Sequence, residues 1–214
     1  MYRGALVAPA RDAAGVLHGL QFIGASGAKR FLKGARVQSL HCLVGEHGDD
    51  VCAEPSAAAS DVVCVVEGFA TGASVHEATG HAVAVAFHAG NLAAVARAIR
   101  ERHPQAGIVL CADDDRDTPG NPGLTHARQA ALAVGGLMAT PDFGPDRPAG
   151  ASDFNDLHRH RGLSAVLTAV RGAGAPSVGM VGAEDCGGCS ATDWADPEPL
   201  TEPPDPLPYP ANAL

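Results

Sequence analysis

The sequence predicts an α/β protein in which a parallel four-stranded sheet is flanked by helices, and three observations lead to this prediction. Short apolar runs of strand length alternate with segments of helical length between residues 61 and 171, which is typical of a parallel sheet with right-handed crossovers. Acidic residues follow the ends of predicted strands, where the ligand sites of open α/β sheets lie. The chain has 214 residues and 46% hydrophobic residues, enough to bury a core of this kind.

The elements of this sheet are assigned from hydrophobic periodicity and from the Gly and Pro residues between them. Strands are predicted at 62–66, 82–86, 108–112 and 137–140, and helices at 69–78, 92–101, 124–134 and 157–170. Aromatic residues make up only 4% of the chain. The core must therefore be built mainly from Ala, Val and Leu.

The chain on either side of this region has a different composition. Two strands are predicted near the N-terminus, at 4–9 and 17–23, with a turn between them and a second turn leading into residues 30–33. After residue 172 the sequence is rich in Gly, Pro and acid, which predicts disorder because little apolar surface is available to offset the ordering entropy. Four parts are expected: a small basic β lobe (1–45), a linker (46–60), the α/β domain (61–171) and a disordered acidic tail (172–214).

The charge of the chain is unevenly distributed. The formal net charge is −9, but the seven acids and no Lys or Arg after Gly172 account for most of it, and the first 36 residues hold six bases against Asp12 alone. A basic lobe beside an acidic site is expected of an enzyme that handles polyphosphates or nucleic acid. The alternative is that these bases only keep the surface soluble.

Carboxylates follow two predicted strands and precede one predicted helix. Asp113, Asp114 and Asp115 come after the strand at 108–112, and if the strand continues, Asp113 and Asp115 point to one side, about 7 Å apart, with Asp114 on the other. A hard cation such as Mg²⁺ is the natural partner of two such acids. The alternative is a solvated acidic turn. Glu67 after the strand at 62–66, and residues 153–156 ahead of the last helix, bring further acids to element ends.

Several classes of protein do not fit the sequence. The segment ahead of Lys29 lacks the glycine of a phosphate-binding loop, so we expect no ATPase motor. The six cysteines follow no secreted disulfide pattern and no signal peptide or membrane-length apolar run is present, which predicts a cytoplasmic protein without a membrane partner. Cys186 and Cys189 form at most half of a zinc site. The histidines form no evident ligand set, and we expect surface or helix-end positions for His76, His81, His88, His126, His158 and His160.

The order of the acidic motifs resembles the Toprim domain, which is shared by bacterial-type primases, type IA and II topoisomerases and some nucleases. Within that superfamily the sequence is most similar to the primases of plasmids, conjugative elements and phages, which are mobile genetic elements. The segments that carry the resemblance are 66–72, 112–116, 123–131 and 153–157. Residues 6–33 are similar to the small basic β lobe that precedes the Toprim domain in those primases.

The resemblance implies roles for individual residues. Glu67 would act as general acid or base, or help to hold a metal. Asp113 and Asp115 would bind Mg²⁺ or Mn²⁺, with Asp153 or Asp156 completing the set. The bases that would grip a nucleoside triphosphate or the template backbone are Lys29, Arg30, Lys33 and Arg116. Asp114 departs from the family pattern, since many relatives have a neutral residue there, and its charge is expected to alter the metal affinity.

The resemblance implies a DNA primase that makes short oligonucleotides from nucleoside triphosphates on single-stranded DNA, through metal-dependent phosphoryl transfer. Two alternatives remain open: a Toprim nuclease, and a non-catalytic nucleic-acid-binding module of a larger replication or transfer complex. A topoisomerase is disfavoured, because its tyrosine nucleophile would have to be Tyr2 or Tyr209, both near the termini. No zinc-binding module or helicase region is seen in the sequence, so a longer chain or a partner such as a helicase or relaxase is expected to supply those functions.

Overall fold

The computed structural model describes residues 4–45 and 62–176. All of them belong to one compact unit. The strands are β1 (Leu6–Arg11), β2 (Leu17–Ile23), β3 (Lys29–Phe31), β4 (Cys42–Val44), β5 (Val62–Val66), β6 (Ala82–Val85), β7 (Gly107–Cys111) and β8 (Leu137–Ala139). The helices are α1 (Phe69–Thr79), α2 (Leu92–Arg102), α3 (Pro122–Val134), α4 (Phe154–Arg161) and α5 (Leu163–Arg171), and a 3₁₀ turn at Ala89–Asn91 precedes α2.

The main sheet has five strands in the order β4-β6-β5-β7-β8. The four strands β6, β5, β7 and β8 are parallel, which confirms the predicted parallel arrangement. The edge strand β4 was not predicted, and it pairs antiparallel with β6, so the sheet is mixed. A three-residue strand carries too short a pattern to be recognised from the sequence.

Helices cover both faces of the main sheet, and the alternation along each strand explains how. In β5, Val63 and Val65 belong to the core beneath α2 and α3, whereas Cys64 and Val66 belong to the core beneath α1, α4 and α5. The central strands are therefore apolar on both faces, as expected of a buried parallel sheet. Among the described residues, no helix combines the length and the apolar character needed to cross a membrane.

The N-terminal lobe is a three-stranded antiparallel sheet in the order β1-β2-β3. Its inner face joins the core on the α1 side of the main sheet, and the Phe31 and Phe87 rings meet edge to face with centroids 5.4 Å apart. The buried Asn91 side chain fixes the connection between lobe and sheet. It accepts a hydrogen bond from the Ser39 N–H at 2.7 Å and donates to the carbonyl oxygens of Leu40 and Ala86, both at 2.9 Å.

The last predicted helix, 157–170, is wrong as a single element. The structure has two helices, α4 and α5, separated by Gly162 at φ 79°. A left-handed φ is easily reached by glycine, so Gly162 ends α4 and lets the chain change direction.

Strand β3 was not predicted as a strand, since only a turn leading into residues 30–33 was expected there. The predicted linker (46–60) and nearly all of the predicted tail (172–214) lie outside the described residues, so the division into four parts stays a prediction.

Candidate active site

The carboxyl ends of β5 and β7, adjacent parallel strands, place two groups of acids at the same edge of the sheet. Glu67 follows β5 directly, and Asp113 to Asp115 lie in the loop 112–121 between β7 and α3, which we call the acid loop. Asp153 comes from a third element, as the N-cap residue of α4. We refer to Glu67, Asp113, Asp115 and Asp153 as the acid cluster, because the charges of the other three act on the pKa of Asp113.

Glu67 is partly buried, and burial raises the pKa of its carboxyl group, followed by repulsion from Asp115. Three groups oppose this rise in pKa: the charge of Lys29, a hydrogen bond from the Ala89 N–H, and His126. A carboxyl group with a raised pKa can exchange a proton nearer to neutral pH than an ordinary glutamate. Glu67 is thus chemically suited to a general acid or base role.

The surroundings of Asp113 disfavour the charged form of its carboxyl group. Burial, together with the charges of Glu67, Asp153 and Asp115, raises the pKa of Asp113 to about 8, and Lys29 only partly opposes this. Its Oδ1 atom is buried without a hydrogen-bond partner in the described part of the chain. Since buried acceptors are nearly always satisfied, this oxygen is free to bind a group from outside the chain.

Asp115 is held by the first turn of α3. Its Oδ2 atom accepts a hydrogen bond from the Gly123 N–H at 3.1 Å, and its own N–H donates to the Asn121 side chain at 2.9 Å. A Cβ atom on Gly123 would lie only 2.5 Å from the Asp113 carbonyl oxygen and 2.8 Å from Asp115 Oδ2. Glycine at this position therefore lets the helix approach the acid loop closely.

Asp114 points to a different set of partners. Its carboxylate forms an ion pair with Arg147 and accepts a hydrogen bond from Asn121 Nδ2 at 2.8 Å. Burial raises the pKa of Asp114, but these two hydrogen bonds, together with the charges of Arg147 and Arg116, outweigh it, so the pKa is lowered. The strand itself ends at Cys111, so the alternation that the sequence predicts for these three acids is produced by the loop and not by a continued strand.

Asp153 and Asp156 have distinct roles at the start of α4. Asp153 Oδ1 accepts the Asp156 N–H at 2.7 Å, and Asp153 Oδ2 accepts the buried Thr71 hydroxyl of α1 at 2.9 Å. Asp156 Oδ2 accepts the Ser152 N–H at 3.0 Å. The two acids thus cap the helix, as carboxylates at a helix N-terminus commonly do. Asp153 raises the pKa of Asp113, which ties it to the acid cluster.

The four predicted binding bases separate into different places. Lys29 Nζ would lie 3.5 Å from a Cβ atom on Gly68, and its charge lowers the pKa of both Glu67 and Asp113, so it stands beside the acid cluster. Arg30 and Lys33 are exposed, and Arg30 projects from the opposite face of β3 because strand residues alternate. Arg116 is exposed on the acid loop, where its charge acts on Asp114.

The donor set fits a hard divalent cation, since it offers carboxylate oxygens, one of them buried and unpaired. However, the described side chains do not form a complete set of metal ligands. Across residues 4–45 and 62–176, no three His, Cys, Asp or Glu side chains are arranged so that together they could hold an ion. Both Asp153 oxygens and one oxygen of Asp115 are engaged in hydrogen bonds within the protein. The metal ligands Glu67, Asp113, Asp115, Asp153 and Asp156 therefore stay a prediction.

Several residues around the acids were not recognised from the sequence. Asn121 was within reach of such an analysis, because Asn followed by Pro at the first helical position is a typical helix start. His126, expected at the surface or a helix end, acts on the pKa of Glu67. Nothing in the neighbouring sequence of Thr71 or Arg147 indicates that they belong to the site.

A groove of about 510 Å³ lies between β8 and α5, but none of the predicted site residues lines it.

Comparison with known proteins finds similarity to one domain family and to DNA primases. Residues 62–164 match the model of the Toprim domain. The chain is 43% identical over 145 residues to a DNA primase TraC from Escherichia coli, a match that covers 66% of this chain and 13% of that protein. This chain thus spans about one eighth of the length of that relative.

Two solved structures show the same fold at low sequence identity. The RNA polymerase domain of the Mycobacterium tuberculosis primase DnaG has a TM-score of 0.53 and 17% identity, covering 80% of this chain and 56% of that one. The catalytic domain of a DnaG primase bound to single-stranded DNA has a TM-score of 0.53 and 19% identity, covering 80% of this chain and 52% of that one. The matched share exceeds the Toprim region, so part of the N-terminal lobe takes part in the similarity.

Proposed function

Because residues 62–164 of this chain are a Toprim domain related to that of plasmid-type DNA primases, we propose that the protein acts in the synthesis of short oligonucleotide primers on single-stranded DNA. The observation that carries the proposal is the acid cluster, with a buried and unpaired Asp113 oxygen at its centre. The curated relatives are named as DNA primases. The two solved primase structures have the same fold as this chain.

The chemistry proposed for the site is nucleotidyl transfer, in which the 3′-hydroxyl group of one nucleotide attacks the α-phosphate of the next triphosphate. A phosphodiester bond forms, the bond between the α- and β-phosphates breaks, and pyrophosphate leaves. A divalent cation, Mg²⁺ or Mn²⁺, would neutralise charge that develops on the reacting phosphate oxygens. Asp113, Asp115 and Asp153 are the residues that would hold it, and the backbone N–H of Asp156 orients Asp153 as part of the helix cap.

The remaining side chains have separate tasks in this proposal. Glu67, whose pKa is raised by burial and by Asp115, takes the proton of the attacking hydroxyl group when the two come within hydrogen-bond reach. Lys29, beside Glu67, binds a phosphate oxygen of the triphosphate. Arg30, Lys33 and Arg116 are exposed and bind the template backbone, a contact that positions nucleic acid without reading its sequence.

The test is to incubate the protein with single-stranded DNA, Mg²⁺ or Mn²⁺ and labelled nucleoside triphosphates. Labelled oligonucleotides support the proposal, while shortening of the DNA would assign the site to a nuclease, and binding without either product would assign the chain to a non-catalytic module. Glu67→Gln and Asp113→Asn are each expected to abolish synthesis with unchanged circular dichroism. Glu77→Gln and Asp117→Asn, which alter exposed acids on α1 and the acid loop, are the matched controls and retain activity.

A partner is also part of the proposal. A helicase or relaxase, on the same chain or on another, would deliver the single-stranded template. Adding the product of a neighbouring helicase or relaxase reading frame to the assay is expected to raise the rate of primer synthesis, and an unchanged rate would remove that partner from the proposal.

A further inference from the structure

Arg147 connects two loops that both carry acids of the cluster. Its side chain is only 9% exposed. From the loop between β8 and α4 it reaches the acid loop, where Nη1 pairs with the Asp114 carboxylate and Nη2 donates to the Asp114 carbonyl oxygen at 2.7 Å. On its own loop, Nε and Nη2 donate to the Ala151 carbonyl oxygen at 2.8 and 2.6 Å. The guanidinium group also lies over the Phe143 ring, 4.7 Å from the centroid.

The residues that Arg147 holds are sequence neighbours of the cluster acids. Asp114 is flanked by Asp113 and Asp115, and Ala151 lies two residues before Asp153. The Asp114 N–H also donates to the Ser152 carbonyl oxygen at 2.8 Å. The acid loop is therefore joined to the segment ahead of Asp153 by this backbone hydrogen bond and by the contacts of Arg147. A planar guanidinium group can serve these acceptors at once, whereas a lysine ammonium group cannot reproduce the same fork.

Arg147 also reduces the repulsion among three consecutive carboxylates. It pairs with Asp114, and Asn121 binds the other oxygen of the same carboxylate. The charge of the middle acid is thus compensated outside the acid cluster, whereas Asp115 is held by the Gly123 N–H and Asp113 Oδ1 has no hydrogen-bond partner among the described residues. A neutral residue at position 114 would not need this partner.

We propose that Arg147, through Asp114, is a positioning residue that holds the acid loop against the start of α4, and so keeps Asp113 and Asp115 in place beside Asp153 for a divalent cation to bind. The inference rests on the proposed function of the acid cluster, and it assigns Arg147 no contact with substrate. In this arrangement the Asp114–Arg147 pair supports the metal-binding residues without binding the metal itself. Supports of this kind typically change metal affinity or activity by about 10- to 100-fold when removed.

The experiment measures Mn²⁺ binding to the full chain by the electron paramagnetic resonance signal of free Mn²⁺, with no nucleotide or DNA present. Arg147→Lys keeps the charge and removes the fork, and it is expected to raise the Kd for Mn²⁺ by about tenfold or more. Arg161→Lys is the matched control, because Arg161 donates to the Asp142 carbonyl oxygen of the same loop on a path that does not reach Asp114. Its Kd is expected to stay within about twofold of the wild-type value.

A second variant covers the case in which Arg147→Lys fails to fold. Asp114→Ala removes only the carboxylate and leaves the carbonyl contacts of Arg147 in place, so it is expected to raise the Kd about threefold or more. A folded Arg147→Lys protein with wild-type Mn²⁺ affinity overturns the inference, as does unchanged affinity in Asp114→Ala, or an equal loss in Arg161→Lys. A wild-type protein that binds no Mn²⁺ contradicts instead the metal site of the proposed function.

Discussion

Asp113 provides a test of the site, because its buried carboxyl group is expected to lower the free energy of unfolding when no divalent ion is bound. The perturbation is Asp113→Asn, which keeps the shape of the side chain and removes its ability to ionise. Burial and three neighbouring carboxylates raise the pKa of Asp113 from 3.8 to about 8. The variant is therefore expected to be more stable than the wild-type protein in the absence of divalent ions, although it is expected to be inactive.

The sign and size follow from proton linkage. Below pH 4 Asp113 is protonated in both the folded and the unfolded protein, so it contributes no difference. Between pH 4 and 8 the unfolded chain ionises and the folded protein retains the proton, so the free energy of unfolding falls by about 1.4 kcal/mol per pH unit. Above pH 8 both states are ionised and the penalty is constant. At pH 7 the full effect is about 4 kcal/mol, and since side chains relax around a charge we expect Asp113→Asn to recover about 2 to 4 kcal/mol.

The assay is urea unfolding followed by circular dichroism at pH 5, 6, 7 and 8, with EDTA present. The stability difference between Asp113→Asn and wild type is expected to grow with pH, and at pH 7 to correspond to about 5 to 15 °C in Tm. Asp117→Asn, in an exposed position of the same loop, is the control and should show no such trend. A difference that is absent at pH 8, or that does not change with pH, would refute the electrostatic account of the site.

Three further substitutions test the contacts that arrange the site. Gly123→Ala places a methyl group against the acid loop and is expected to lower primer synthesis by about 100-fold and stability by about 2 kcal/mol, whereas Gly174→Ala, with open space around it, changes neither in the same assays. Asn91→Ala leaves buried backbone groups unpaired, so urea unfolding should show a loss of about 2 to 4 kcal/mol. Thr71→Val removes the hydroxyl group that binds Asp153; we expect about 1 to 2 kcal/mol less stability and weaker Mn²⁺ binding, and an unchanged Kd would show that Thr71 does not position the acid.

The parallel core of the fold could be predicted from the sequence because its signals are local. The strand at 62–66 was predicted with the bounds that the structure gives, and the helix at 69–78 differs by one residue at its end. Apolar runs, glycine stops and helix caps are recorded within a few neighbouring residues. The position of Glu67 and the acid loop at one edge of the sheet follows from the topology of parallel sheets. The adjacency of β5 and β7, which are separated along the chain by β6, is seen only in the structure.

Other features depend on residues far apart in the chain and leave no periodic trace. The edge strand β4 is recognisable only by its pairing with β6. Arg147 lies between prolines in a loop, and only the folded chain brings it to Asp114, 33 residues away. Asp153 and Asp156 are alike in the sequence, yet Thr71 binds one and the Ser152 N–H binds the other. The sequence by itself determined which acids lie at the sheet edge, whereas the tertiary structure decided how each carboxylate is oriented, because orientation is set by hydrogen bonds between segments that pack together only on folding.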